Sequence, residues 1–480
     1  MIAAMAATET PATAPSAPAA NPLLGEAPPI EVGPIEPGSA QYRMPPSMEL
    51  SPFRQALQFG ARPLAFLTKA NRQLGETITF RVPGRDTAFV LSSHPDNAKA
   101  LFTTKAELVP SATAESPLRP IVGPNSILTA NGARHMRQRK LLLPPFHGEA
   151  IAEYTRQIRE VAEREVDTWR AGDEFPLAKR MQAVTLQVIM SGIFGIDGEP
   201  APGTAERSLR DETRFFLSLS ERPIWRVVEL YHQGKMEPHG PVKAVMYRMD
   251  KSFYRVIAER REVPAAEHGN DVLSILMAAI DDEGRHLSDE ELRDELVSLV
   301  LAGHETTANS LAWTFERLVR FPEAYGSLRD AVRGDDRGDE WVEATIHEGM
   351  RVRPVIPLVG RRVQTDWRVG EYVVPVDTIV SSNIITMHHR PDLYPRPYDF
   401  LPQRFLGVKP GTYTWIPFGG GTRRCLGAAL AMAEQRIVLE TIVRRSDLTY
   451  ADPEPEREIH RNVTLVPKLG GRVVVKRKLD

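Results

Sequence analysis

The spacing of apolar residues separates a short N-terminal stretch without periodicity from a long and mostly helical remainder. Apolar side chains at helical spacing predict helices over residues 149–169, 177–192, 242–262, 271–279 and 341–350. Alternating polar and apolar residues on both sides of Pro83-Gly84 predict a β-hairpin over 76–82 and 87–92. Similar alternation predicts strands over 362–374 and 472–476. The pattern indicates a mainly α fold with small peripheral β-sheets.

The longest predicted helix covers residues 289–320. Ser288 and Glu291 have the spacing of a capping box at its start, and Pro322 closes it. Its 32 residues would extend about 48 Å, enough to cross a whole domain. Apolar residues on nearly all faces predict that its middle is buried. The Glu305 carboxylate within the interruption 303–307 is therefore costly unless it is paired or used.

The first 47 residues differ in composition from the rest of the chain. They contain 10 of the 40 prolines, among Ala, Thr, Ser and Gly, and few large apolar residues. Such a stretch cannot bury a core, so we expect a disordered tail over 1–47 and one folded domain over 48–480. The tail lacks the basic start and apolar centre of a secretory signal. No apolar run approaches the roughly 18 to 20 residues that cross a bilayer, so we expect a soluble chain without a transmembrane anchor.

The charge balance argues against a strongly basic binding protein. Lys and Arg number 60 against 62 Asp and Glu, for a formal charge of −2. The overall charge therefore indicates neither nucleic acid nor an anionic membrane as a partner. The single cysteine, Cys425, cannot form an intramolecular disulfide or a multi-thiolate metal site, and it is typical of a reducing cytoplasm.

Cys425 lies in the glycine-rich segment 418–427, ahead of a helical pattern over 428–444. Glycines allow positive φ and a close approach of the backbone to a flat ligand, and a thiol at a helix N-terminus favours its thiolate form. A lone cysteine is, however, more often a small buried hydrophobe. A phosphatase-type nucleophile does not fit, because that loop resembles one with Arg six residues after the Cys and position 431 is Ala.

Five motifs in order along the chain resemble those of the cytochrome P450 family. Segment 418–427 is similar to the family's haem-thiolate loop, and segment 302–307 is similar to its oxygen-activation motif in the long central helix. Segment 348–351 resembles the Glu-x-x-Arg motif. Segment 400–405 resembles the aromatic-Pro-x-Arg-Phe motif, with Gln403 where Glu is more usual. His135 and Arg139 fit the Trp/His-x-x-x-Arg helix.

The resemblance implies the cytochrome P450 fold, a bound haem b and a role for each matching residue. Cys425 would be the axial iron ligand, whose thiolate favours O–O cleavage. The haem propionates would contact a set of cations, namely His135, Arg139, Arg361 and Arg423. Other residues matched to the haem site are Phe418, Gly419, Gly427, Ala302 and Gly303. Glu348, Arg351 and Arg404 would form a structural ion-pair triad.

The same resemblance implies how oxygen is handled. Gly303 would let the central helix widen around dioxygen and water, and Glu305 with Thr306 would pass protons to the distal oxygen. A threonine hydroxyl that bonds back to its own helix is the plain structural alternative. His304 fits a satisfied polar residue better than a second iron ligand.

The implied activity is insertion of one atom of O2 into an apolar small molecule, such as a fatty acid, a terpenoid or a steroid-like compound. No flavin or iron–sulfur domain is fused to the chain, so we expect electrons from a separate ferredoxin and ferredoxin reductase, or a flavodoxin. The chain is expected to be of a bacterial type and monomeric. The substrate pocket is expected to draw on segments 108–127, 215–228, 355–359 and 464–466 and on the helix around Ala302. Cations near the sulfur, Arg134, Arg137, Lys140 and Arg424, predict a docking surface for an acidic ferredoxin.

Three alternatives to this activity remain open. A peroxygenase is a minor one, because family members that use peroxide typically depart from the acid–alcohol pair kept here at Glu305 and Thr306. A non-catalytic haem sensor or carrier would differ by showing no turnover with an electron donor. A hydrolase with Cys425 as nucleophile would contain no haem.

Overall fold

Helices are the main elements of the described residues. The computed structural model describes residues 21–84, 87–115, 118–146, 149–220, 222, 228, 237–334 and 337–479. Within them the α-helices are α1 (Pro52–Ala61), α2 (Pro63–Leu74), α3 (Pro95–Thr103), α4 (Arg119–Val122), α5 (Gly132–Leu142), α6 (Glu149–Asp167), α7 (Leu177–Phe194), α8 (Ala205–Ser220), α9 (Gly240–Glu262), α10 (Val272–Ala278), α11 (Asp289–Leu318), α12 (Pro322–Gly334), α13 (Gly338–Val352), α14 (Ile384–Met387) and α15 (Ala428–Arg445).

The β-structure of the described residues is confined to four small sheets. The strands are β1 (Val32–Pro34), β2 (Thr77–Phe80), β3 (Phe89–Ser92), β4 (Glu174–Pro176), β5 (Leu358–Arg362), β6 (Trp367–Val369), β7 (Tyr372–Val374), β8 (Ile379–Asn383), β9 (Ser446–Tyr450), β10 (Glu458–Arg461), β11 (Thr464–Pro467) and β12 (Arg472–Lys478). The sheet orders are β1-β6-β7, β2-β3-β8-β5, β4-β12-β9 and β10-β11. Only the β3–β8 pair is parallel among these strand pairs. The predicted mainly α fold with small peripheral sheets is confirmed.

Most predicted elements are present with small shifts at their ends, but the pattern over 362–374 divides into the end of β5 and strands β6 and β7. The helices expected from apolar spacing correspond to α6, α7, α9, α10 and α13, and their ends differ from the prediction by at most three residues. The expected hairpin is the antiparallel pair β2 and β3, with Thr77 opposite Ser92. Amphipathic spacing located these elements because each buries one face.

Helix α11 runs through the middle of the molecule. Its start is the predicted capping box, since the Ser288 hydroxyl accepts the Glu291 N–H at 3.2 Å and the Glu291 carboxylate accepts the Ser288 N–H at 3.0 Å. The N-terminal half of α11 packs in one apolar core through Leu296. Its C-terminal half packs in a second core through Phe315. Between the two cores Ala302 is exposed, so the helix borders open space at its centre.

The prediction of a disordered tail is wrong for residues 21–47. Strand β1 pairs with β6, Gly25 N–H donates to the Leu393 carbonyl at 2.9 Å, and Arg43 exchanges backbone hydrogen bonds with Val373. A Pro-rich stretch without a core of its own is thus fixed by backbone bonds to the edge of an existing sheet. Residues 1–20, the rest of the predicted tail, lie outside the described residues.

Glu434 on α15 is a carboxyl group in an apolar interior. It is 3% exposed, and its Oε1 has no hydrogen-bond partner among the described residues. Burial raises the pKa of Glu434 to about 8. In the unfolded chain the pKa of a glutamate is about 4.3. Between these values the folded state keeps a proton that the unfolded state has lost, so the free energy of unfolding falls as pH rises.

We expect Glu434→Gln to raise the stability at neutral pH by up to about 3 kcal/mol, since the amide never has to ionise. The measurement is urea unfolding of the haem-loaded protein at about pH 5.5 and about pH 7.5. The wild-type chain should lose more stability than the variant between the two pH values. Glu440→Gln on the same helix, where Glu440 pairs with Arg444 at 3.1 Å, is the control and should keep the wild-type pH dependence. An unchanged slope in Glu434→Gln would contradict the assignment of a protonated Glu434.

Candidate functional site

The loop that carries Cys425 is held by its own backbone. Cys425 N–H donates to the Phe418 carbonyl at 2.9 Å, and Gly419 N–H donates to the Ile416 carbonyl at 3.0 Å. Gly419 and Gly421 both have φ near +64°, a conformation that other residues rarely adopt. Helix α15 begins three residues after Cys425. The loop therefore fixes the direction of the Cys425 side chain before the helix starts.

The glycines of this loop serve two different purposes. A Cβ on Gly420 would lie 2.3 Å from the Phe102 ring, and one on Gly421 would lie 2.2 Å from the Phe102 carbonyl oxygen. These two glycines let α3 pack directly on the loop. A Cβ on Gly419 or Gly427 would meet no atom within 4 Å. Those two positions face open space that a flat group could fill.

The Cys425 side chain is exposed to the space beside the loop. Protein around that space displaces bulk water from the sulfur, and this desolvation raises the pKa of the Cys425 thiol. The Gly427 N–H and the charges of Arg424 and Arg139 act in the opposite direction but do not outweigh it. The expected thiolate at the helix N-terminus is therefore not favoured by the protein alone. Such a thiolate forms when a metal ion replaces the proton.

The four predicted propionate contacts lie together although they come from three separate segments. His135 and Arg139 are on α5, Arg361 is on β5, and Arg423 precedes the sulfur. Burial and then the charges of Arg423, Arg139 and Arg361 lower the pKa of His135 to about 4. This shift favours the neutral form of His135 beside the three arginines, whereas a neighbouring anion would raise the pKa and favour the predicted cation. The neutral ring can still offer an N–H to an anion.

The three arginines of this group have no carboxylate partner among the described residues. Arg423 donates to the Asn131 Oδ1 at 2.6 Å, Arg139 to the Arg424 carbonyl at 2.9 Å, and Arg361 to the Gly360 carbonyl at 3.0 Å. Arg361 is only 7% exposed, and burial lowers its pKa to about 10. Buried cations without a counter-ion are costly. The group thus fits an anionic ligand such as the carboxylates of a haem.

Asn131 was missed by the sequence analysis. Its Oδ1 accepts from Arg423 and from the Ser111 N–H, at 2.6 and 3.0 Å. Asn131 therefore links the start of α5 to the segment around Ser111. Ser111 in turn forms a β-bridge with Arg361. No motif or periodicity marks a residue of this kind, because its partners are far away in the sequence.

The centre of α11 faces the same open space. The helix stays α-helical through Gly303, so the predicted widening is not found. A Cβ on Gly303 would lie 3.0 Å from the Ile189 Cδ1, which shows that the glycine allows α7 to pack closely. The Thr306 hydroxyl donates to the Ala302 carbonyl at 2.6 Å. This is the back-bonded arrangement that the sequence analysis gave as the structural alternative.

Glu305 has a partner that the sequence did not indicate. Arg461, at the end of β10, donates to the Glu305 Oε1 from Nε at 2.8 Å and from Nη2 at 2.5 Å. Both side chains are 15% exposed and border a cavity of about 200 Å³ that Lys179 and Arg214 also line. The carboxylate in the helix centre is therefore paired, and it has access to a polar recess.

The Glu-x-x-Arg segment forms a fully buried ion-pair cluster. Arg351 donates to both oxygens of Glu348 at 2.7 and 2.8 Å, and the Arg404 Nε lies 3.3 Å from the Glu348 Oε1. Arg351 also donates to the carbonyls of His388, Pro397 and Asp399. The Nε2 of His388 in turn accepts the Ile416 N–H at 3.1 Å. This chain of bonds connects the cluster to the start of the Cys425 loop.

Two of the four cations predicted as a docking surface are paired with acids. Arg137 pairs with Asp281 and Glu291, each at 2.7 Å, and Lys140 pairs with Asp282 at 2.6 Å. Arg134 donates to the Pro124 carbonyl at 2.9 Å. The acidic partners come from residues 281–291, which the sequence analysis could not place beside α5. Arg424 is exposed and has no carboxylate partner among the described residues.

Several segments predicted to line a substrate pocket reach α11. Ile127 N–H donates to the Glu295 carboxylate at 3.1 Å, and the Leu465 carbonyl accepts from the Trp313 indole at 3.1 Å. Leu465 N–H donates to the Val355 carbonyl at 2.7 Å, so segments 355–359 and 464–466 are neighbours. In segments 108–127 and 215–228, residues 116–117, 221 and 223–227 lie outside the described residues.

Comparison with known proteins identifies the family. A sequence profile described as Cytochrome P450 matches residues 44–475. The chain belongs to the cytochrome P450 family. Cytochrome P450 137 of Mycobacterium tuberculosis is 37% identical over 378 residues, which are 78% of this chain and 78% of that relative. Cytochrome P450 138 of Mycobacterium bovis is 34% identical over 451 residues, covering 93% of this chain and 100% of the relative.

Solved structures of cytochrome P450s share the fold. The retinoic acid bound cyanobacterial CYP120A1 superposes with a TM-score of 0.75 at 23% identity, covering 92% of this chain and 100% of that one. The cytochrome P450DA heme domain gives 0.74 at 21% identity, with 92% and 99% covered. As a cytochrome P450, the protein is a haem-dependent oxidoreductase, a monooxygenase that takes electrons from redox partners and acts on a small molecule. None of the helices in the described part of the chain has the length and apolar character of a membrane span.

Proposed function

We propose that the site binds haem b, with Cys425 as the iron ligand and with Arg139, Arg361, Arg423 and His135 at the propionates. The observation that carries this proposal is the cluster of arginines without carboxylate partners beside the cysteine loop. When bound, the haem supplies the iron at which dioxygen is activated. Gly419 and Gly427 leave the surface on which its ring would lie free of side chains. Phe418, Ala302 and Gly303 would complete the walls.

The proposed reaction is insertion of one oxygen atom into an apolar substrate such as a fatty acid, a terpenoid or a steroid-like compound. The segments proposed to line the pocket support this, because they contain apolar residues such as Ile127, Val355 and Val466. A screen of these compound classes for a shift of the haem Soret band tests it, followed by product analysis under isotopically labelled O2. If no apolar compound shifts the band or gains labelled oxygen, the proposal is wrong.

Glu305 and Thr306 are proposed to control proton delivery. While the Thr306 hydroxyl donates to the Ala302 carbonyl, its oxygen is free to accept a hydrogen bond from water in the adjoining space. A water held there would be a proton donor at the place where oxygen is activated. Glu305, fixed by Arg461 at the polar recess, is placed to pass protons from solvent toward that water.

We expect Thr306→Ala to consume reductant at a rate close to that of the wild type while releasing more hydrogen peroxide and less product. The measurement is the ratio of product to reductant consumed, which should fall by on the order of 10²-fold, the lower end of the roughly 10² to 10⁴-fold contribution of a positioned proton donor. Thr306→Ser keeps a hydroxyl at the same place and should largely restore the ratio. Unchanged coupling in Thr306→Ala would remove Thr306 from the proposed mechanism.

The electron donor is proposed to be a separate ferredoxin with its reductase, or a flavodoxin, docking near Arg424. Since Arg137 and Lys140 are paired with acids, the docking surface rests on Arg424 and Arg134 rather than on the whole predicted cluster. An exposed cation beside the loop mainly speeds the encounter with an acidic donor. The single cysteine supports a reducing compartment such as the cytoplasm, and a monomer is proposed for the enzyme.

We expect Arg424→Glu to slow reduction by an acidic ferredoxin severalfold, and the deficit should shrink as salt screens charges over about 8 to 10 Å. Stopped-flow reduction under CO measures the rate. Dithionite needs no docking, so its rate should change little. Arg255→Glu on α9, a helix packed against α8 and α11, is the matched charge control. Equal slowing with both reductants, or no salt dependence, would place the docking surface elsewhere.

A further inference from the structure

Helices α1 and α2 form a basic surface, although the net charge of the whole protein is slightly negative. Residues 50–75 contain no Asp or Glu and four cations, Arg54, Arg62, Lys69 and Arg72, in a chain with a net charge of −2. All four are exposed, and none has a carboxylate partner among the described residues. Arg62 alone separates the two helices, so the cations share one continuous element. The expectation that an anionic membrane is no partner rested on net charge and missed this local distribution.

The same element exposes large apolar side chains. Phe53 is 66% exposed and Leu57 is 60% exposed. They are one helical turn apart on α1, while Gln55 and Phe59 on the other side of the helix are buried. A single exposed apolar residue is ordinary, but a pair at this spacing is a small apolar ridge. Arg54 lies on the same short helix, and Arg62 follows directly after its last residue.

A cavity of about 590 Å³ opens beside α2. Its lining includes the apolar Leu64 and Ala65 and the cations Lys69 and Arg72, all on α2. Glu458 also lines it and accepts the Leu64 N–H at 3.3 Å. The recess therefore combines apolar walls with two cations and one carboxylate, on the helix that follows α1.

We propose that α1 and α2 form a docking surface for the anionic face of a lipid bilayer. Phe53 and Leu57 would enter the interfacial region, and Arg54, Arg62, Lys69 and Arg72 would lie near the lipid phosphates. Amphipathic helices of this kind bind a bilayer by apolar insertion together with attraction between cations and anionic lipids. Two large protruding apolar side chains favour a bilayer over an acidic protein, because charge steering alone requires no such ridge. The docking is peripheral and requires no spanning helix.

Flotation of the haem-loaded full chain with vesicles tests this. We expect binding to vesicles of phosphatidylcholine mixed with phosphatidylglycerol and little binding to phosphatidylcholine alone. The variant with Arg54, Arg62, Lys69 and Arg72 all changed to Gln should lose on the order of 100-fold in partitioning, and rising salt should weaken the wild type similarly. Phe53→Ser with Leu57→Ser should lose on the order of tenfold.

Matched control variants test whether vesicle binding depends on this surface rather than on net charge or on any exposed apolar residue. Changing four exposed arginines elsewhere, Arg156, Arg159, Arg170 and Arg255, to Gln removes the same charge and should leave vesicle binding intact. Leu469→Ser removes a residue that is 51% exposed and should also have no effect. Equal binding to neutral vesicles, or equal loss in the controls, overturns the proposal. If vesicles do not bind but the α1–α2 variants slow reduction by ferredoxin or change the oligomeric state, the surface docks a protein instead.

Discussion

Replacing Arg351 by Met is expected to abolish accumulation of folded, haem-loaded enzyme. Arg351 donates to both Glu348 oxygens and to three backbone carbonyls, and all of its side chain is buried. The methionine leaves Glu348 without its main partner in the interior, a loss of about 3 to 5 kcal/mol. Whole domains have only about 5 to 15 kcal/mol of stability. Because His388 joins Arg351 to Ile416, the loop that presents Cys425 loses its support as well.

The measurement is haem absorbance per polypeptide together with the urea midpoint of any protein recovered. Arg396→Met is the control, since Arg396 forms an exposed pair with Asp399 at 2.7 Å and should change stability by less than about 1 kcal/mol. Adding Glu348→Gln to Arg351→Met should recover part of the loss, because the buried carboxylate is no longer charged. Normal yield and haem content in Arg351→Met would show that the cluster does not support the loop.

Cys425→Ser is expected to retain secondary structure and to lose monooxygenase turnover to background. Serine cannot provide a thiolate, and Cys425 is the only cysteine, so no other residue can replace the sulfur. The loop should persist because the bond from the residue 425 N–H to the Phe418 carbonyl is made by the backbone. The reduced, CO-bound wild type should show the strongly red-shifted Soret band of a thiolate ligand, and the variant should not.

Thr422→Ser is the control for changes in this loop, because Thr422 is exposed and is not proposed as a ligand. It should keep the red-shifted band and the turnover. A wild-type CO spectrum typical of His-ligated haem would mean that Cys425 is not the iron ligand. Turnover that persists in Cys425→Ser would contradict the proposed chemistry in the same way.

The sequence predicted most of the fold because its signals are local. Helix α6 buries one face, and the middle of α11 is apolar on nearly all faces. The spacing of apolar residues shows both patterns directly. The buried cluster around Glu348 was also accessible, because its members lie within recognisable motifs. Features of both kinds can be recognised from neighbouring residues or from a motif.

The features that the sequence did not predict depend on partners far away in the chain. Glu305 pairs with Arg461 across 156 positions, and Arg137 pairs with Glu291 across 154. Neither Arg461 nor Glu291 lies in a motif that names its partner. The low pKa of His135 likewise depends on Arg361 and Arg423, which only the folded chain brings close. Charge counts along the sequence could not distinguish paired from unpaired cations.

The contact between the N-terminal segment and Arg404 also sets a time order for synthesis. Asn21 donates to the Arg404 carbonyl across 383 residues, and Arg404 donates to the Leu23 carbonyl at 2.7 Å. At about 5 to 20 residues per second, the ribosome needs roughly 20 to 80 s to make the chain between them. During that interval Asn21 and Leu23 have no Arg404 to bind. Pro28 and Ile30, by contrast, contact His94 and Asp96, which are made 66 residues later. The part of the segment around Asn21 therefore docks much later than the part around Ile30, and until then it is open to chaperones and proteases.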